Sequence, residues 1–151
     1  RKGDIRVNYS FGFSLKGFII FLLPMIPNLF YFLAPAASKF GGNVKNHFIL
    51  DILEHGSQAV FFFMIIFLIR KQTLDFICSF SVGMVIALLV YYVLWILLFT
   101  GQSNLVILIT MAILPVIYFI LAEIWLNNYL AIIPTALFGI VHAFITYMDF
   151  S

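Results

Sequence analysis

"NHFILDILEHGSQAVFFFMIIFLI", residues 46–69, decides the fold class. From Ala59 to Ile69 it is apolar without a break, and with the residues before it the run is long enough to cross a hydrocarbon layer about 30 Å thick, which takes about 20 helical residues. The chain around it has the same character. Of 151 residues, 64% are apolar, 9% are charged and 19 are phenylalanine. An ordinary soluble domain carries about 25% charged residues, and one of this length needs more polar side chains than these to cover its surface. The expected solvent is lipid. The net charge of +2 gives no sign of nucleic-acid binding.

Working outward, five runs qualify as spans: roughly 16–33, 47–69, 74–100, 105–126 and 129–147. They are continuous rather than alternating, which excludes a barrel. The predicted fold is all-α: one domain, residues 1–151, a bundle of five transmembrane helices kinked by Pro24 and Pro27 in span one, Pro115 in span four and Pro134 in span five. The segment before span one, "VNYSFGFS", is expected to lie along the membrane interface. The first run has a basic start and the cleavage-like "APAA" at its end, but its two prolines favour a span over a signal peptide. Arg1 at the start, in place of Met, reads as a trimmed chain.

Lysine and arginine orient the bundle. Arg1, Lys2, Arg6 and Lys16 flank span one, and Arg70 and Lys71 follow span two on the same side; Lys39 and Lys45 face them across the membrane. Six against two predicts a multi-pass cell-membrane protein with a cytoplasmic amino terminus and an external carboxyl terminus. Trp125 and Tyr129 are expected as interfacial anchors at the cytoplasmic end, and Glu123 with Asn127 as an interfacial pair there. Five spans bury little surface among themselves, which allows a homo-oligomer or a partner membrane subunit.

The first half of the opening stretch departs from its surroundings. At 100° per residue, His47, Asp51, Glu54, His55 and Gln58 fall within a stripe about 100° wide. Glu54 lies about 5 Å inside the outer edge of the hydrocarbon and Gln58 about 12 Å inside. Ionisable groups at that depth face a bundle interior or water and have partners. Four-residue spacing allows internal pairs, His47 with Asp51 and Asp51 with His55. Span five has a second stripe of Thr135, His142, Thr146 and Asp149, and span one offers Asn28, with Tyr31 to close the space. Pro24 and Pro27 remove amide donors and free the carbonyls of Ile20 and Leu23 to line a cavity. In span three, Ser79, Ser81 and Gly83 favour close packing, Tyr91 and Tyr92 read as packing or interfacial groups, and Cys78, the only cysteine, as a small buried one.

The expected ligand site is therefore Asn28, Asp51, Glu54, His55, Gln58 and His142, in an outward-facing polar cavity between spans one, two and five. Its carboxylates would attract a small polar or cationic solute, and His55 and His142 would make it pH-sensitive near neutrality. The alternative is a zinc-dependent hydrolase at the outer surface, with Asp51, His55 and His142 as ligands and Glu54 as general base. "DILEH" keeps the Glu-His of an inverted zinc-protease motif, with Asp51 in place of its first histidine. A non-catalytic accessory subunit is the third reading. There is no phosphate loop or nucleotide fingerprint, and no stretch resembles the motifs of a known family.

Overall fold

The computed structural model describes residues 8–33 and 47–151. Arg1, Lys2, Arg6, Lys39, Lys45 and the "APAA" stretch, all used above, lie outside the described residues. The elements are β1 (Tyr9–Phe11), α1 (Leu15–Leu33), α2 (Phe48–Phe67), β2 (Leu68–Arg70), α3 (Ser79–Phe99), α4 (Leu105–Trp125), a 3-10 turn (Tyr129–Ala131) and α5 (Ile132–Phe150). Five helices are long and apolar enough to cross a membrane. The bundle exposes many large apolar side chains and buries several polar ones. Val85, Leu89, Val93, Ile133 and Ile140 are exposed, whereas Ser57, Glu123, Asn128 and Thr135 are buried. A soluble bundle has the opposite distribution.

α4 packs closely on α3 and α5, and α2 on α5; α1 leans on α2 and touches α3 and α4 more sparsely. The core is aromatic: Phe61 lies 5.1 Å from Phe119 and 5.4 Å from Phe138, ring centre to ring centre. Two glycines set close approaches. A Cβ on Gly17 would fall 2.0 Å from the Ile65 carbonyl oxygen, and one on Gly139 would fall 2.5 Å from Val116 Cγ1.

Several expectations change. The segment before span one has a partner: β1 pairs antiparallel with β2, Tyr9 opposite Arg70 and Phe11 opposite Leu68. The chain then continues along the end of α2, with Gly12 N–H on Phe67 O at 3.0 Å and Ser14 N–H on Ile66 O at 2.8 Å. Span three starts at Ser79; before it the chain is irregular and tied to Trp125, with Leu74 N–H on Trp125 O at 3.0 Å and Trp125 Nε1 on Asp75 O at 2.9 Å. Cys78 is the partly exposed N-cap of α3 rather than a core residue; its sulfur accepts the Ser81 amide hydrogen, which lowers the thiol pKa, while Ser81 Oγ accepts the Cys78 N–H. Trp125 is buried under Lys16, whose Nζ sits 5.5 Å from the indole centre, so its ring packs within this end of the bundle. Pro134 falls in the first turn of α5, where a missing amide costs a helix little.

α1 runs as one helix through Pro24 and Pro27. The two carbonyls these prolines free are both taken by tyrosines: Tyr118 Oη donates to Ile20 O at 3.0 Å and Tyr92 Oη to Leu23 O at 2.5 Å. They therefore dock α1 onto α4 and α3, and neither Ile20 nor Leu23 lines the cavity between α1, α2 and α5. Tyr118→Phe is expected to cost about 1–2 kcal/mol, because it leaves the Ile20 carbonyl unpaired in an apolar setting. Pro24→Ala returns a backbone donor to that carbonyl. The double variant is therefore expected to recover at least about 0.5 kcal/mol relative to the sum of the singles. Unfolding midpoints in detergent micelles measure this; strict additivity would mean the tyrosine does not serve the proline's carbonyl.

Candidate functional site

α2 and α5 meet along a seam with fixed register. Near one end, His47 Nε2 lies 3.4 Å from Asp149 Oδ1. Seven residues further along each helix, in opposite directions, Glu54 Oε1 meets His142 Nδ1 in a hydrogen bond. Seven residues spans two helical turns, so both pairs sit on one face of each helix. The acid and base exchange helices between them. At the far end of the seam, Asn128 Nδ2 donates to Met64 O at 2.9 Å and Leu68 O at 3.2 Å, capping α2.

Glu54 is the centre of the arrangement. Its side chain is 12% exposed and that of His142 37%. The other carboxylate oxygen faces His55 Nδ1 at 3.8 Å. His55 is itself exposed and held by a 2.8 Å contact between Nδ1 and the Asp51 carbonyl, so Nδ1 carries the proton in that contact. The His142 ring stacks on Phe138 at 5.1 Å and 14°. Glu54 is thus a carboxylate between two imidazoles, one packed and one at the mouth.

These groups line a cavity of about 340 Å³. Its polar side is Asn28, Glu54, His55, Gln58, Tyr91 and His142, and its apolar side includes Phe61, Phe62, Phe119 and Phe138. Asn28 comes from α1, where its amide donates to Pro24 O at 3.2 Å and Tyr91 Oη at 3.4 Å. Of the six ligand residues expected from sequence, five line the cavity and Asp51 does not. Tyr31 does not either: its ring packs on Trp95 at 5.7 Å, and Phe32 takes the position at the wall. The expected partners of His47 and His55 also change, to the Asp149 side chain and the Asp51 backbone. Among the described residues, no three His, Cys, Asp or Glu side chains converge in a way that could hold a metal ion, so Asp51, His55 and His142 do not form a ligand set.

A second carboxylate lies deeper. Glu123 of α4 has no exposed surface, and Thr135 Oγ1 donates to its Oε1. Its Oε2 and the Asn128 Oδ1 have no hydrogen-bond partner among the described residues. Glu123 therefore does not form the interfacial pair expected with Asn127. Asn127 instead takes the left-handed turn after α4, φ 56°, with its side-chain amide on Gln72 O at 2.7 Å and its carbonyl accepting from Arg70 at 3.2 Å. Thr135 and His142 are seven residues apart on α5, with Phe138 between them. One face of α5 thus serves Glu54 on one side of the phenylalanine cluster and Glu123 on the other. The sequence signal was the Thr135–His142 stripe; what it lacked was the partner of Thr135.

Comparisons with protein-family models, curated proteins and solved structures give no match to this chain.

Proposed function

We propose that the chain is a multi-pass membrane protein that binds, and carries across the bilayer, a small cation through the cavity around Glu54, with the amino terminus cytoplasmic and the cavity opening outward. The observation that supports this reading is the Glu54–His142 pair between two membrane-length helices, at the wall of a cavity that also holds Asn28, Gln58 and Tyr91. A buried carboxylate in such a setting needs a cationic partner. In the resting site His142 holds the carboxylate in a hydrogen bond. A solute cation entering from the mouth, past exposed His55, takes up a position beside that carboxylate. The phenylalanine cluster then separates the occupied cavity from the Thr135–Glu123 pair. Onward movement requires Phe138 to turn aside with α5, which brings the two polar stations into one path.

Site-directed labelling tests this reading. Cys78→Ser keeps the α3 cap, because serine is a better N-cap than cysteine, and it supplies a cysteine-free background. In that background Gln58→Cys is expected to react with a membrane-impermeant thiol reagent added outside. Guanidinium is expected to slow the reaction at least severalfold. Labelling only from the cytoplasmic side, or a rate indifferent to guanidinium, ammonium, choline and potassium alike, would overturn it.

A further inference from the structure

The opposite end of the bundle carries a second, chemically different site. Lys16, Arg70 and Lys71 line a pocket of about 270 Å³ with the hydroxyl residues Ser14 and Thr73. Lys16 and Lys71 are exposed. Among the described residues the ion pairs all involve His47, His55 or His142, so within them none of these three cations meets a carboxylate. Arg70 is partly committed, donating to the Asn127 carbonyl and lying 5.4 Å from the Tyr9 ring. Among the described residues neither lysine has a side-chain hydrogen bond, and Lys16 lies over the Trp125 ring.

Lys16 also lines a second space. A groove of about 610 Å³ runs between α1 and α3, with Ile19, Leu23, Val82, Val85 and Leu88 on its walls and Trp125 near Lys16. From Lys16 to Leu23 it extends about 10 Å along α1. Ile19, Val82, Val85 and Ile86 are exposed, so the groove opens sideways, where α1 and α3 touch only sparsely. A basic, hydroxyl-lined pocket joined at one lysine to an apolar groove has the shape of one amphipathic ligand. We infer that Lys16, Lys71 and Arg70 hold the phosphate headgroup of an anionic phospholipid from the cytoplasmic leaflet, with an acyl chain in the α1–α3 groove. Juxtamembrane lysines and arginines attract anionic lipids at the cytoplasmic surface. The bound chain completes the packing between α1 and α3. The inference rests on the membrane reading but not on the cavity: neither Glu54 nor His142 takes part.

Native mass spectrometry of detergent-purified protein, titrated with phosphatidylglycerol or phosphatidylcholine, tests it. The expected result is one phosphatidylglycerol per chain, held at least tenfold more tightly than phosphatidylcholine. Lys16→Gln with Lys71→Gln weakens it about thirtyfold, whereas Lys16→Arg with Lys71→Arg retains it. Val82→Trp keeps every charge, fills the groove from an exposed position and weakens binding severalfold. Millimolar inorganic phosphate leaves the lipid bound. Equal binding of the two lipids, retention by the double glutamine variant, or displacement by phosphate alone would each overturn the inference. Melting curves show that each variant is folded, and cation protection at Gln58→Cys is scored separately, so failure here leaves the cavity reading intact.

Discussion

Glu54→Gln is expected to weaken cation binding at the cavity by at least about tenfold while leaving the bundle folded. Glu54 is the only carboxylate among the described cavity-lining residues. A unit charge pair about 4 Å apart is worth on the order of 4 kcal/mol at an effective dielectric constant of 20, before desolvation of the cation is subtracted. Glutamine keeps the shape and an oxygen that accepts from His142, so the α2–α5 seam survives and only the charge goes. Protection of Gln58→Cys by guanidinium reads the affinity, and thermal unfolding reads the fold. The seam also permits an exchange. His47 and Asp149 already show the opposite order, base on α2 and acid on α5. Glu54→His with His142→Glu is therefore expected to recover stability that either single change loses, with a coupling of about 1–3 kcal/mol. Strictly additive losses would mean that Glu54 and His142 do not act as a pair.

Asn128→Asp is expected to be the most damaging near-isosteric change in the chain. Asn128 is 1% exposed, and its amide nitrogen serves both Met64 O and Leu68 O. α2 ends there, and its last carbonyls have no further helical amides to meet. Aspartate replaces the donor by an acceptor and sets an oxygen against both carbonyls; Met64 O keeps the Leu68 N–H, so it is Leu68 O that loses its side-chain donor outright. An unpaired buried group costs about 1–3 kcal/mol, and a loss of that size is expected. Detergent unfolding measures it. A loss below about 1 kcal/mol would show that α2 is held by its packing alone.

The five long apolar helices were legible because each leaves a blunt mark: a long uninterrupted apolar run set off by short polar connectors. Helix ends were less so. Leu74 to Cys78 are apolar enough to lengthen α3, yet Trp125 ties Leu74 and Asp75 into an irregular stretch before it. The β1–β2 ribbon had a faint signal in Tyr9, Phe11 and Phe13 alternating at period two, too short to stand out beside the helices. The polar stripe on α2 was legible as a stripe, but its centre was not. The buried line runs through Ser57, Phe61 and Ile65, to one side of Glu54, which turns Asp51 and His55 toward the edge. The pairing of Glu54 with His142, and not Asp51 with His142, depends on the register between helices far apart in sequence. The same holds for the proline-freed carbonyls. Their release follows from the ring chemistry of Pro24 and Pro27, but their capture by Tyr118 and Tyr92 depends on how α1 lies against α3 and α4.

The central claim is that Glu54 serves a cation that crosses the bilayer. The most direct measurement is charge movement in proteoliposomes on a solid-supported membrane, with concentration jumps of guanidinium, ammonium, choline and potassium. The account predicts a current for at least one of them that is absent from protein-free liposomes and lost in Glu54→Gln. Folded wild-type protein that gives no current with any of the four, or a current of the same size in Glu54→Gln, would contradict it.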